Sequence, residues 1–224
     1  MNHIYTLLLI SMCLYTITSL SAALNERIKI VCTSAQKPQG YEERKKQYMH
    51  ALSLLKNKYD FDFYLVESIA NGPTFLDEYC NHICYTHSND ASLVNYGINE
   101  AISLIMAFKE FNFDPDTMIV KLTGRYPLEN DEFIKIVEQN MDADIIARTW
   151  HEGDACTGLF AIRLKYFVDF LTNHIDFKTM EACSIPLEHF FGAYITKIEK
   201  DGAKIVRLKR MYDFIYAPPQ YPDR

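Results

Sequence analysis

Hydrophobic residues along this chain occur in two alternating patterns, short continuous runs and stripes with helical spacing. The short runs predict strands at residues 28–32, 61–66, 82–86, 118–122, 145–147, 158–162 and 204–208. The stripes predict helices at residues 41–56, 96–111, 131–139, 165–172 and 187–194, with a short helix or turn at 73–79. Because strands alternate with helices, we expect an α/β fold whose mostly parallel sheet is covered by helices on both faces.

The N-terminal segment is apolar and precedes the first predicted strand. Residues 4–24 carry no charge, and Ser21-Ala22-Ala23 offers the small residues that a signal peptidase reads. The segment is also just long enough to serve as an uncleaved membrane anchor. We therefore expect residues 1–23 to be a signal peptide or N-terminal anchor for the secretory pathway or export. Residues 24–216 are then one domain, and 217–224 a C-terminal tail.

The overall composition is typical of a globular, slightly acidic protein. Hydrophobic residues make up 49% of the chain, and the formal net charge is -6. Nucleic-acid binding needs a concentrated basic face, so no nucleic-acid partner is expected. The local basic cluster Arg44-Lys45-Lys46 is interpreted as a solvated face.

Residues 118–128 place a cationic loop directly after a predicted buried strand. The strand ends at Thr123, Gly124 and Arg125, and Lys121 lies just before them. Ligands of open α/β sheets bind where strands end at their carboxyl edge. These four residues are therefore candidates for binding an anion, and the alternative is an ordinary strand exit with two solvated charges.

Polar residues also occur at two other strand ends and at one helix start. Thr33-Ser34 ends the first predicted strand and Glu67-Ser68 ends the second, where their oxygens suit a base or a ribose. Asn95 and Gly97 open the strongest predicted helix, whose N-terminus attracts negative charge. Each of these residues also has a structural interpretation, as a cap or as a site of close backbone approach.

Candidate sugar-binding and acid–base groups lie in the last third of the chain. Trp150 suits the apolar face of a sugar ring, although it fits a core position equally well. A small-residue turn follows and contains Asp154, Thr157 and Gly158. Glu188 begins an otherwise apolar helix, either as a carboxylate stabilised by the helix dipole or as a general base.

The two motifs that suggest a metal ion do not fit a metal site. Asp114-Pro115-Asp116 is an Asp-x-Asp, a pattern that often binds a divalent cation with a diphosphate. It precedes the strand at 118–122, so we expect it at the sheet edge opposite Arg125 and interpret it as a turn. Cys80 and Cys84 have no second pair at matching spacing to complete a zinc site. The sequence therefore predicts no metal-ligating residues.

Residues 27–196 resemble the GT-A fold of nucleotide-sugar-dependent glycosyltransferases, a Rossmann-like sheet. Residues 95–101 resemble the stretch leading into the helix before that family's central strand. Residues 157–162 are similar to its Gly-Gly-Leu-Phe-Ala-Ile acceptor-side segment, and Glu188 matches the place where inverting members keep an acidic base. The chain departs from the family after the strand at 118–122, where Thr123-Gly124-Arg125 replaces the metal-binding Asp-x-Asp.

The resemblance implies a glycosyltransferase that moves a sugar from a nucleotide-diphosphate donor to an acceptor hydroxyl. Its partners would be a nucleotide sugar, as cosubstrate, and a glycan or protein acceptor. Thr33, Ser34 and Glu67 would help hold the nucleoside. Lys121 and Arg125 would bind the diphosphate, so no metal cofactor is firmly expected, although Mn or Mg is left open. Glu188 would be the general base, with Asp154 as the fallback.

Two alternatives to a glycosyltransferase are kept. A degenerate member of the fold would be a non-catalytic module that binds a glycan or a protein, as the missing Asp-x-Asp suggests. Another nucleotide-using transferase, such as a nucleotidyltransferase, is a third option. The first predicted strand–helix turn contains no Gly-rich phosphate loop of the usual spacing, which argues against that option.

Overall fold

The structure is a computed structural model that describes residues 26–38, 40–58, 62–150 and 153–209. The predicted signal peptide or anchor at 1–23 and the predicted tail at 217–224 lie outside these residues and stay predictions. None of the helices in the described ranges has both the length and the apolar character needed to cross a membrane.

A seven-stranded sheet forms the centre of the described structure. Its strands are β1 (Ile28–Ser34), β2 (Phe63–Glu67), β3 (His82–Tyr85), β4 (Met118–Thr123), β5 (Ile145–Arg148), β6 (Leu159–Arg163) and β7 (Ile205–Leu208). They lie in the order β3-β2-β1-β4-β6-β5-β7. Strand β6 runs antiparallel to β4 and β5, and the other neighbouring strands pair in parallel. The expected mostly parallel sheet is confirmed.

Helices join the strands, close to the positions that the hydrophobic stripes predicted. They are α1 (Tyr41–Lys58), a 3-10 helix (Phe75–Glu78), α2 (Tyr96–Phe111), α3 (Glu132–Gln139), α4 (Leu164–Asn173), α5 (Phe177–Ala182) and α6 (Leu187–Lys200). Of the helices named here, α5 alone was not predicted, because it is too short to show a periodic stripe. Its start is nevertheless marked in the sequence by Asp176, whose side chain accepts hydrogen bonds from the Lys178 and Thr179 backbone.

The two faces of the sheet are covered by different helices. Alternate strand residues point to opposite faces, so Ile30 of β1 packs in the core with α1 and α3, whereas its neighbour Val31 packs with α2, α4 and α6. Helices therefore cover both faces, as predicted. Lys121 lies beside Val31 in the register of β1 and β4, which places it on the α2 face.

The exits of β1, β2 and β4 meet at one edge of the sheet. The Gly124 backbone N–H donates to the Thr33 carbonyl oxygen at 2.9 Å, and the Ser68 N–H donates to the Ser34 carbonyl at 3.1 Å. A Cβ on residue 124 would lie only 2.9 Å from the Thr33 oxygen, so glycine permits this close approach. The predicted polar strand ends are thereby brought together.

Candidate functional site

A large cleft of about 1520 Å³ opens at the edge where β1, β2 and β4 end. Residues from distant parts of the chain line it, among them most of those that the sequence singled out. These are Thr33, Ser34, Asn95, Gly97, Thr123, Arg125, Trp150, Asp154, Thr157, Gly158 and Glu188. The structure brings these side chains and backbone groups to one place, and their individual roles stay predictions.

Glu67 lies beneath the cleft and does not face it. The side chain is fully buried. Its carboxylate accepts hydrogen bonds from the Ser34 hydroxyl at 2.5 Å and from the backbone N–H groups of Gln36, Ile69 and Ala70. These donors hold the loops after β1 and β2 together. The predicted nucleoside contact by Glu67 is therefore corrected to a supporting role under Ser34.

Lys121 is also buried, with 1% of its surface exposed. Its ammonium forms an ion pair with Glu100 Oε1 at 2.6 Å, and it donates to the Thr157 carbonyl at 2.6 Å and to Thr123 Oγ1 at 3.3 Å. Because protein groups already engage the ammonium, the predicted direct contact between Lys121 and a diphosphate is corrected. Glu100, which lines the cleft, was not among the predicted site residues.

Three cationic side chains line the cleft near the ends of β1 and β4. Lys37 follows β1, Arg44 lies in the first turn of α1, and Arg125 follows β4. Burial lowers the pKa of Lys37, and the positive charges of Arg44 and Arg125 lower it further. In the described ranges none of the three forms an ion pair with a carboxylate. Mutual repulsion without a carboxylate partner favours an anionic ligand.

Neutral groups orient two of these cations. The Arg125 guanidinium donates to Gln47 Oε1 at 3.4 Å, and the Lys37 ammonium lies 3.0 Å from the centre of the Tyr96 ring. The interpretation of Arg44 as part of a solvated face is wrong, since this side chain is half-buried and lines the cleft. The sequence around Lys37 and Arg44 gave no local indication that they belong to the site, because only the tertiary fold brings these two side chains to the cleft.

Two carboxylates line the cleft near the start of α6. Glu188 lies in the first turn of α6 and accepts a hydrogen bond from Thr157 Oγ1 at 2.6 Å. Asp154 is 2.9 Å from His189 Nδ1. Both acids therefore have a neighbour that fixes one of their oxygens.

Helix α6 packs directly against the loop that carries Asp154. The Ala155 N–H donates to the Glu188 carbonyl at 2.9 Å. A Cβ on Gly192 would lie 1.7 Å from the Gly153 carbonyl oxygen, so no larger residue fits there without movement of the loop. This contact fixes the loop relative to the first turn of α6.

An arginine and the single tryptophan of the chain lie side by side in the cleft. The guanidinium carbon of Arg148 is 5.2 Å from the Trp150 ring centre. Trp150 is partly buried, and it packs against the core on the α1 face while also lining the cleft. Arg148 ends β5 and was not predicted. The adjacent His151 lies outside the described residues.

The helix-start motif is explained largely by packing. Asn95 Oδ1 accepts from the Gly97 N–H at 3.1 Å, and Asn95 Nδ2 donates to the carbonyls of Met180 and Ile185. A Cβ at Gly97 would come within 2.6 Å of the Met180 side chain and 3.0 Å of Leu187 Cβ. Both residues therefore tie α2 to α5 and α6, which is the structural alternative kept open above.

Asp114-Pro115-Asp116 forms the predicted turn before β4. The Thr117 N–H donates to the Asp114 carbonyl at 2.9 Å, and Asp116 pairs with Lys165 at 2.8 Å. None of these residues lines the cleft. Among the described residues, no group of three or more His, Cys, Asp or Glu side chains is arranged to hold a metal ion.

Comparison with known proteins shows likeness in structure only. No family model matches the sequence, and no curated protein matches it. A cytidylyltransferase from Leptospira borgpetersenii serovar Hardjo-bovis is 13% identical with a TM-score of 0.55, over 82% of this chain and 76% of that one. A 4-diphosphocytidyl-2C-methyl-D-erythritol synthase is 14% identical with a TM-score of 0.51, over 87% and 94%.

A third similar structure is a protein from Desulfovibrio desulfuricans G20 assigned as a nucleotide-diphospho-sugar transferase. It is 13% identical with a TM-score of 0.50, over 81% of this chain and 79% of that one. At such identities the likeness shows the fold alone. The chain thus has the α/β fold shared by these three proteins, which agrees with the resemblance to the GT-A fold.

Proposed function

We propose that the protein is a glycosyltransferase that uses a nucleotide-diphosphate sugar. The observation that carries the proposal is that one cleft is lined both by a group of cations and by a separate carboxylate. Lys37, Arg44 and Arg125 lie together without carboxylate partners in the described residues, and Glu188 lines the same cleft. The cations suit a diphosphate, and a carboxylate held by a neighbouring hydroxyl suits removal of a proton.

In the proposed reaction the three cations bind the donor diphosphate and stabilise the charge that develops on the leaving nucleotide. Glu188 takes the proton of an acceptor hydroxyl, and the hydroxyl oxygen attacks the anomeric carbon. The bond between that carbon and the diphosphate oxygen breaks, and its electron pair leaves with the nucleotide. Attack opposite the leaving group inverts the configuration of the sugar. Trp150 would support the apolar face of a sugar ring.

Nucleotidyl transfer is a second candidate that one observation favours. Lys37 follows β1 and Arg44 lies in the first turn of α1, and together with Arg125 they supply three positive charges. Such a cluster also suits a triphosphate, from which a nucleotidyltransferase would release pyrophosphate. The two reactions are distinguished by their products.

A binding and turnover experiment on the full chain tests the proposal. A panel of nucleoside diphosphates and radiolabelled nucleotide sugars is titrated against the protein, with and without Mn²⁺, and hydrolysis or transfer is followed. We expect saturable binding of a nucleoside diphosphate and slow hydrolysis of one donor. Pyrophosphate release from a nucleoside triphosphate and a sugar phosphate would instead support nucleotidyl transfer. An absence of any nucleotide binding would favour the non-catalytic module.

Two arginine variants locate the binding site. Arg125→Ala should weaken binding of the nucleoside diphosphate by about tenfold or more, because it removes a charge-assisted hydrogen-bond donor. Arg207→Ala is the matched control, since Arg207 pairs with Glu199 on α6 and does not line the cleft. The control should bind within about twofold of the wild type. Equal effects of the two substitutions would contradict the proposed diphosphate site.

A further inference from the structure

A continuous network of polar contacts runs along the cleft from the end of β1 to the start of α6, through the buried Lys121. Thr33 Oγ1 donates to Glu100 Oε1 at 2.8 Å, and Lys121 Nζ pairs with the same oxygen at 2.6 Å. Lys121 also donates to the Thr157 carbonyl at 2.6 Å, and Thr157 Oγ1 donates to Glu188 Oε1 at 2.6 Å. These contacts connect β1, α2, β4 and α6, which are far apart in sequence.

Lys121, at the centre of this network, is buried among apolar groups. The Lys121 side chain is 2% exposed, and its surroundings on the α2 face include Leu104, Phe160 and Phe167. A charged ammonium in such surroundings is stable only when a carboxylate and further acceptors are fixed around it. Lys121 therefore holds the Thr157 carbonyl in a defined position, and with it the backbone that presents the Thr157 hydroxyl.

The Thr157 hydroxyl distinguishes the two oxygens of Glu188. Oε1 accepts the hydrogen bond from Thr157. Oε2 accepts no hydrogen bond from the described residues, and Glu188 lines the cleft. Oε2 thus has both of its lone pairs available, whereas one lone pair of Oε1 is engaged by Thr157.

We propose that Thr157 and Lys121 are positioning residues for Glu188, and this inference rests on the proposed function. Thr157 binds Oε1, so that Oε2 faces the acceptor, and Lys121 fixes Thr157 through its carbonyl. When the acceptor hydroxyl reacts, its proton moves to Oε2, its oxygen bonds to the anomeric carbon, and the nucleotide diphosphate leaves with the electron pair. Neither Thr157 nor Lys121 gains or loses a proton in this step.

The Thr157 series separates positioning from stability. Thr157→Val keeps the shape of the side chain and removes the hydroxyl, whereas Thr157→Ser keeps the hydroxyl. With Thr157→Val, we expect kcat to fall about tenfold while KM for the nucleotide sugar stays within about twofold, because only the base is misplaced.

Rescue by serine is the decisive comparison in the turnover assay. Thr157→Ser should restore most of kcat. The inference is overturned if Thr157→Val has wild-type kcat, or if the serine and valine variants have the same kcat. A neutral double variant, Lys121→Met with Glu100→Gln, should show the same fall in kcat with nearly unchanged donor KM. Wild-type kcat in that variant would remove Lys121 from the proposal.

A structural readout keeps this inference independent of turnover. Crystal structures of the wild type and of both Thr157 variants show the position of the Glu188 carboxylate directly. We expect the carboxylate to leave its position in Thr157→Val and to keep it in Thr157→Ser. If the wild type binds nucleotide but transfers no sugar, the proposed function fails while this comparison still decides the positioning role. A carboxylate unmoved in Thr157→Val would refute that role.

Discussion

Replacing Lys121 with methionine removes the positive charge from a buried ion pair and roughly keeps the side-chain length. The Lys121 side chain is 2% exposed and that of Glu100 is 25% exposed. Removing one partner of a buried pair typically costs about 3–5 kcal/mol of unfolding free energy, because the other charge stays uncompensated. Since Glu100 keeps some contact with water, we expect the lower end of this range, about 3 kcal/mol.

The free energy of unfolding is measured by urea denaturation at neutral pH. Trp150 is the only tryptophan of the chain, so its fluorescence reports on the cleft region, with circular dichroism as a second probe. A loss of about 3 kcal/mol should lower the urea midpoint by about 1–2 M, with an unchanged slope. The double variant with Glu100→Gln removes both charges and should recover most of the loss.

Lys165→Met is the matched control for this substitution. Lys165 pairs with Asp116 at 2.8 Å, but the two side chains are 46% and 69% exposed. Water screens such a pair, so its removal should leave the urea midpoint unchanged. If Lys121→Met and Lys165→Met lose the same stability, burial does not govern the ion pair and the reasoning is refuted.

Three further predictions concern packing, thiol reactivity and charge. Gly192→Ala should destabilise the protein by about 3 kcal/mol, because its Cβ would lie 1.7 Å from the Gly153 oxygen. Gly72→Ala meets open space and should be neutral in the same urea assay. Burial raises the pKa of Cys80 to about 11, so alkylation of this thiol should be negligible near neutral pH and should rise as the pH approaches that value. Alkylation is followed by peptide mass mapping. The exposed Cys183 should react first, and equal alkylation rates of the two cysteines would contradict this prediction. Raising the salt concentration should weaken nucleoside-diphosphate binding in calorimetry if the cationic cluster carries it, and salt-independent affinity would argue against that cluster.

The secondary structure was largely readable from the sequence. The helix predicted at 96–111 has these bounds in the structure, as Tyr96–Phe111, and the strand predicted at 118–122 extends by one residue to Thr123. Hydrophobic periodicity is a local property, and these elements bury one face or both, so the pattern determines them. The sheet edge at which Arg125 lies also followed from the sequence, since strands of a parallel sheet end at a common edge.

The sequence did not predict which group each charged side chain contacts. Lys121 and Arg125 are four positions apart in the sequence. Lys121 is buried on the sheet face that α2 covers, where it pairs with Glu100, whereas Arg125 lines the cleft. The alternation of side chains along β4 determines which face of the sheet Lys121 lies on. Only the packing of α2 on that face brings the Glu100 carboxylate to the ammonium. Arg44 looked like one of three solvated cations until the position of α1 brought it to the cleft.

By itself, the sequence determined the α/β alternation, the strand ends that carry polar residues, the position of Arg125 at one of them, and the position of Glu188 at the start of a helix. The tertiary structure decided which of these side chains share the cleft and which support it from below. The physical reason lies in β6, which inserts antiparallel between β4 and β5 and brings Gly158 within a hydrogen bond of Thr123, at 2.9 Å. That pairing places Thr157 between Lys121 and Glu188, and no local pattern specifies contacts across such separations in the chain.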